Sequence, residues 1–282
     1  MTDAVRVSQP TRPVVQEHQR ANDTDPRPGD ARPADTRPWW RTPPVDKRGL
    51  LLWIATFVLM TVLVAGVGLL VVHELGGVRS LDDRVARWLA RHRTTTWDDL
   101  TWGGSMIADA YVKIPATLIL CAIFLWRWRR WTEPTLLAGA LVLEVGIFVL
   151  ASFVVDRPRP PISHLDPIPP TGAFPSGHSA AAVAFYGAIA IIVWWHTRNR
   201  LARGIAIAAA LIVPVIVGGS RMYRGMHNLS DVVVGLLIGI VALWVTWSVV
   251  HHGPASRLTP RHGTPRRRDR HTGADSEVSA SR

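Results

Sequence analysis

The sequence predicts an all-α integral-membrane protein: a six-helix transmembrane bundle between disordered N- and C-terminal tails. Three observations predict it. Hydrophobic residues make up 48% of a 282-residue chain that still carries a formal charge of +11, a balance unlike that of an ordinary soluble domain. Those apolar residues are gathered into six blocks, each approaching the ~20 residues a helix needs to cross a bilayer core. The charges lie between and outside the blocks.

Residues 1–46 are rich in Pro, Arg, Asp and Thr and nearly free of large aliphatics. Such a stretch buries too little apolar surface to offset chain entropy, which predicts a disordered tail. It is too long and polar for a signal-peptide n-region, and the apolar run behind it exceeds the ~7–15 residues of an h-region, so that run reads as a retained span. The spans are expected at 50–72, 104–126, 134–155, 176–195, 201–219 and 227–250, making 47–250 one membrane domain. The second contains Asp109 and Lys113, and the third has Glu144 near its middle. Residues 251–282 form a second basic, disordered tail. Within 73–104, Leu81, Val85, Trp88 and Leu89 recur at helical spacing among charges. That pattern suits an amphipathic helix on the membrane surface, and equally a plain connector with a helical turn.

Basic residues near span ends set orientation. Arg41, Lys47 and Arg48 precede the first span, Arg127, Arg129 and Arg130 fill the second turn, and Arg198, Arg200 and Arg203 fill the fourth. The arginines of 257–270 follow the sixth. With six spans all these groups fall on one side, which predicts a multi-pass plasma-membrane protein with both termini cytoplasmic. The 76–102 stretch holds five arginines on the other side and weakens the asymmetry. Trp126, Trp128, Trp131, Trp194, Trp195, Trp244 and Trp247 gather at the cytoplasmic ends as an interfacial belt.

Cys121 is the only cysteine, so no intrachain disulfide forms and cysteine usage does not report the compartment. The arginines sit in tails and short turns without a nucleic-acid motif. They point to anionic lipid headgroups and away from nucleic acid.

Three sequence-distant stretches fall on the extracytoplasmic face. Asp156-Arg157-Pro158-Arg159-Pro160 closes the third span: its prolines end the helix, and its arginines offer planar donors for phosphate. Arg-Pro here is also an ordinary helix stop. Pro175-Ser176-Gly177-His178 opens the fourth span. Ser176 is a natural N-cap, Gly177 admits a phosphate to the backbone, and the helix start favours an anion beside His178. Ordinary capping explains the same residues. The third stretch, Ser220 to Asp231, contains Arg221 as a further phosphate donor. His227 and Asp231 are four apart, which predicts a shared helix face with the carboxylate orienting the imidazole for attack on phosphorus. A structural pair or a metal site is the alternative, and metal is disfavoured by the many arginines and the absence of a carboxylate cluster.

Taken together, R-P, P-S-G-H and S-R-x5-H-x3-D in this order resemble the type 2 phosphatidic acid phosphatase superfamily, which includes vanadium haloperoxidases and undecaprenyl-pyrophosphate phosphatases. The resemblance spans roughly 50–250. It implies metal-independent, cofactor-free hydrolysis in two steps. His227 attacks phosphorus to give a phosphohistidine, Asp231 orients it, and His178 protonates the leaving group. Arg159, Ser176, the Gly177 N–H and Arg221 hold the phosphoryl oxygens, with Arg157 a further candidate. The family's first motif is K-x6-R-P, and Ser152 stands where the lysine belongs. Lys113 is the candidate replacement, against an intramembrane pair with Asp109 or Glu144. The expected partner is a lipid phosphate in the bilayer: a polyprenyl phosphate or pyrophosphate, phosphatidic acid, or phosphatidylglycerol phosphate. The rival readings are a phosphatase for soluble esters and, because of Ser152, a non-catalytic lipid-phosphate binder.

Overall fold

The computed structural model describes residues 43–254. Expectations placed on the rest of the two tails, their arginines included, lie outside these residues. The described residues form eight helices and no strand: α1 Lys47–His73, α2 Gly76–Arg91, α3 Thr95–Met106, α4 Ala110–Trp128, α5 Thr132–Val155, α6 Gly177–His196, α7 Arg200–Tyr223 and α8 Leu229–His252. Counting α3 and α4 as one stretch, six are long and apolar enough to cross a membrane, as the hydropathy pattern predicts. Of the stretch expected as a tail, Asp46 caps α1 by accepting from Gly49 N (2.7 Å), and Val45 packs on the core.

The second span differs from expectation. It runs over Thr95–Trp128 and is broken at Ile107–Asp109. Asp109 lies at the break and caps α4, its carboxylate accepting from Tyr111 N (2.9 Å). The carboxylate competes for backbone donors and so ends one helix and begins the next. Ala108 fixes the break by packing on Ala182 of α6 and Val217 of α7.

Helices α5, α6 and α8 form the centre of the bundle, while α1, α4 and α7 bury much less of their length. Leu51, Val62, Leu118, Leu211 and Val215 stand on those outer helices with their side chains exposed, as suits contact with acyl chains. The main core joins Val64 of α1, Leu143 and Ile147 of α5, Phe174, and Ile238 and Ala242 of α8. Helix α6 presents Ala180, Ala181, Ala184 and Ala188, all fully buried. A Cβ on Gly239 of α8 would come within 2.5 Å of Ala180 O, so glycine there lets two backbones approach, as in membrane helix pairs generally.

At the end of the bundle away from the motifs, Glu133 is fully buried and holds Arg130 and His196 Nε2 (2.8 Å). Trp128 stacks on His196 with centroids 3.7 Å apart. One of the basic residues expected to mark the turn between α4 and α5 is thus drawn onto a buried carboxylate. Trp126, Trp131, Trp194 and Trp244 are exposed near this end; Trp88, Trp97 and Trp102 are exposed near the other.

Helix α2 forms as its periodicity predicts, but its protein-facing side is Asp82 and Ala86. Leu81 and Trp88 are exposed instead. Asp82 is 2% exposed. It accepts from Arg157 Nη2 (2.8 Å), Ser230 N (3.0 Å) and Ser230 Oγ (2.5 Å), pinning α2 to the start of α8. Removing one member of a buried pair strands the other, at roughly 3–5 kcal/mol. Asp82→Ala should therefore lower the thermal midpoint in detergent micelles sharply. Asp83→Ala, which loses only the exposed 3.8 Å pair with Arg87, should change stability by less than about 1 kcal/mol. Equal midpoints for the two variants would show that Asp82 does not clamp the helix.

Candidate active site

The predicted stretches meet where α5 and α7 end and α6 and α8 begin. Backbone bonds join them: Ser176 N donates to Asp231 O (2.9 Å), Ala173 N to Arg157 O (2.8 Å), and Met226 N to Arg221 O (2.9 Å). The first links the second motif to the third, and the second folds the 156–176 connection back on itself.

His227 lies in the short turn between α7 and α8 and is 5% exposed. Its Nδ1 is 2.6 Å from Ala173 O. A carbonyl only accepts, so Nδ1 carries the hydrogen and Nε2 keeps its lone pair. Burial pushes this imidazole well below its ordinary range, and the charges of Arg221, Arg159 and His178 push the same way; the Ala173 bond opposes them. The ring is therefore neutral at working pH, the form required of a nitrogen nucleophile.

The expected orientation of His227 by Asp231 is not what the structure shows. Asp231 Oδ1 accepts from Arg157 Nη1 (2.6 Å), and its Oδ2 accepts from Asn228 N (2.7 Å). The four-residue spacing implied a shared helical face, but α8 begins only at Leu229, with Asn228 as its N-cap. His227 lies before the helix, and Asp231 occupies the third helical position, where a carboxylate reaches back to the cap in a capping box.

The arginines divide by partner. Arg157, a candidate phosphate contact, is committed to Asp82, Asp231 and Ser230 Oγ (2.7 Å). Burial lowers its basicity, but Asp231 and Asp82 more than offset this and hold it above the ordinary value. Arg159 donates from its two terminal nitrogens to Met226 O and Thr171 O, and burial holds it below the ordinary value against the pull of Asp231. Arg221 Nη1 donates to Ser105 Oγ (2.8 Å) and Asp166 Oδ2 (2.9 Å). The Nε atoms of Arg159 and Arg221 are buried without a hydrogen-bond partner, and His178 Nε2 is buried with Asp109 Oδ2 3.6 Å away. These three residues lie close enough to His227 for their charges to act on its ring. Unsatisfied buried nitrogens around a neutral imidazole suit an anion with several acceptor oxygens. Among the described residues, no group of three or more His, Cys, Asp or Glu is placed to hold a metal.

Ser176 occupies the N-cap position of α6, but its side chain caps nothing; Oγ is 3.0 Å from Ser179 Oγ. Gly177 faces the Phe148 ring, which a Cβ would meet at 3.1 Å. Aromatic packing thus accounts for the glycine expected to admit phosphate. Lys113 Nζ pairs with Glu144 Oε1 across α4 and α5 (3.7 Å). Ser152 is fully buried and donates to Val149 O within its own helix (2.9 Å).

Three aspartates at the site were assigned no role there by sequence reasoning. Besides Asp82, Asp166 receives Arg224 through both Nε and Nη2 (2.6–2.9 Å) as well as Arg221. Asp109 Oδ2 stands 3.6 Å from His178 Nε2. Their sequence signal was thin: a carboxylate in an apolar run or a connection that also faces several arginines.

Residues 133–253 match the PAP2 superfamily. Phosphatidylglycerophosphatase B of Bacillus subtilis is 26% identical over 178 residues, covering 60% of this chain and 82% of the relative. YbjG of Escherichia coli K12, provisionally named an undecaprenyl-diphosphatase, is 25% identical over 173 residues, 58% of this chain and 83% of the relative. The crystal structure of a transmembrane PAP2-type phosphatidylglycerolphosphate phosphatase from Bacillus subtilis superposes with a TM-score of 0.60 at 21% identity, covering 69% of this chain and 94% of that one. Six apolar spans, with the histidine and arginine motifs gathered at one end of them, accompany this match to the PAP2 superfamily over residues 133–253.

Proposed function

We propose that this protein hydrolyses the phosphomonoester or pyrophosphate of a membrane lipid through a phosphohistidine at His227. The PAP2 match and the activities its relatives are named for support a phosphoric monoester or pyrophosphate hydrolase. The observation that carries the mechanism is the neutral His227, tautomer fixed by Ala173, among buried guanidinium nitrogens without partners. The Nε2 lone pair attacks phosphorus as the bond to the leaving oxygen breaks, and His178 passes that oxygen a proton. Water then attacks the phosphohistidine, gives a proton back to His178, and releases inorganic phosphate and free His227. Arg159 and Arg221 meet the charge on the equatorial oxygens. Asp231 serves by fixing Arg157 and the start of α8.

A lipid substrate suits a site at the end of apolar spans, since the acyl or prenyl tail stays in the bilayer while the phosphate reaches the arginines. The named activities of the two relatives point to phosphatidylglycerol phosphate and undecaprenyl pyrophosphate as members of the first panel. The basic turns favour cytoplasmic termini with the site on the extracytoplasmic side of the plasma membrane.

His227→Ala should abolish phosphate release from every substrate, and vanadate should inhibit the wild type, while EDTA should not. Because His227 is held below its ordinary pKa of 6.5, its nucleophilic form persists as pH falls, and the acid limb of kcat/KM should lie below pH 6.5. Substantial activity in His227→Ala, or strict dependence on a divalent metal, would remove the phosphohistidine.

Phosphate release from long-chain lipid phosphates should exceed that from short soluble esters in kcat/KM by about 10-fold or more, about the energy of a few buried methylenes. Parity would favour the soluble-ester reading, and no release with tight lipid binding would favour the non-catalytic one. For orientation, cysteines placed at His164 and Arg200 in a Cys121→Ala background should respond oppositely to an impermeant thiol reagent on intact cells. Labelling at Arg200 with protection at His164 reverses the assignment.

A further inference from the structure

We infer that Asp109 is the positioning residue for the leaving-group acid, holding His178 by one ring nitrogen so that the other is presented to the departing oxygen. The inference rests on the phosphohistidine reading above and assigns a role to a residue that reading leaves unused.

The geometry begins with the break in the second span. Ala108 is 3% exposed and packs on Ala182, one turn along α6 from His178. His178 and Ala182 therefore share a face, and the break sets Ala108 and Asp109 against that face side by side. Asp109 divides its carboxylate: Oδ1 accepts from Tyr111 N (2.9 Å), which fixes the side chain on the α4 start, and Oδ2 stands 3.6 Å from His178 Nε2. That nitrogen is buried and has no hydrogen-bond partner, which leaves it free to close on Asp109. The charged groups facing His178 are Asp109 and Lys113 from α4, Arg221 from α7 and His227 from the turn before α8. Lys113 is itself taken by Glu144 on α5. Asp109 is thus the carboxylate that faces His178 among these groups.

In the attack step His178 carries protons on both nitrogens. With Nε2–H directed at Asp109, Nδ1–H is the proton transferred as the P–O bond breaks. Neutral His178, still protonated at Nε2, then takes a proton at Nδ1 from the water that cleaves the phosphohistidine. Asp109 exchanges no proton in either step, which is why it positions and does not catalyse.

The test compares leaving groups. Asn caps a helix about as well as Asp, so Asp109→Asn keeps the α4 start and removes the charge. With full-length protein in detergent micelles, Asp109→Asn should lower kcat for dioctanoyl phosphatidic acid, a poor alkoxide leaving group, by about 10-fold or more. For p-nitrophenyl phosphate, which needs little protonation, the loss should be under about 3-fold, with KM changed little for either. Asp109→Glu should recover part of the phosphatidic acid rate. If Asp109→Asn does not purify as a folded species, Asp109→Ser, also a good cap, takes its place. Equal losses for both substrates, or none, overturn the inference while wild-type turnover and an inert His227→Ala leave the phosphohistidine standing. A His227→Ala variant as active as wild type removes both.

Discussion

A guanidinium buried between two carboxylates, Arg157 between Asp82 and Asp231, is the interaction on which the motif end of the bundle depends. An isolated charge buried this deeply would cost several kcal/mol, and the arrangement is tolerable only because each member is answered. Its partners come from α2 and α8, and it stands itself in the connection after α5, so satisfying one guanidinium ties three chain segments together. The effect reaches His227 by two routes. With Asp231 occupied by Arg157 and by the α8 cap, His227 finds its acceptor in Ala173 O. Ala173 is held in turn by the bond from its N–H to Arg157 O. The backbone of the same arginine therefore sets the acceptor that selects the histidine tautomer.

A division of labour among cations follows. Arg157 and Arg224 spend their donors on protein acceptors, chiefly Asp82, Asp231 and Asp166, and so act as structural ties. Arg159 and Arg221 are tied only at their terminal nitrogens and keep Nε buried without a partner. Four arginines within one motif set thus differ in how many of their donors the protein engages. Asp166 sits at the boundary of the two groups. By touching both Arg224 and Arg221 it joins the 156–176 connection to the end of α7 and lowers the cost of keeping Arg221 out of water.

The spans were legible because bilayer crossing demands length and apolarity, and both are local properties of the chain. The break at Ile107–Asp109 was not, since one aspartate scarcely changes the hydropathy of the run around it. The pairing of His227 with Asp231 failed for a narrow reason: a helix start placed two residues too early turns a turn residue into a helical one. The motif histidines and arginines were found, but their partners were not. Arg157 meets Asp82 across 75 positions, and Asp82 sat among the charges between the apolar residues by which α2 was recognised. Local pattern located the chemistry; long-range pairing decided which residue does what.

Ser152, in the position of the first-motif lysine, fits the same electrostatic logic. It is fully buried, its hydroxyl is satisfied by Val149 O, and its own carbonyl lies 3.1 Å from where a Cβ on Gly172 would stand. A lysine there would bring an ammonium into a fully buried position against Gly172 and the backbone of Asp156 and Arg157. The nearby carboxylates are each engaged: Asp82 and Asp231 by Arg157, Asp166 by Arg221 and Arg224, and Glu144 by Lys113. A further cation would have only the substrate phosphate to answer it. In the proposed mechanism, with serine here, the cations that would face a phosphoryl group are Arg159, Arg221 and protonated His178, and Asp109 lies 3.6 Å from the last of these. The positive charge on the leaving-group side is then one that can be transferred as a proton. A lysine adds fixed charge; the histidine–aspartate pair supplies charge that departs with the leaving group.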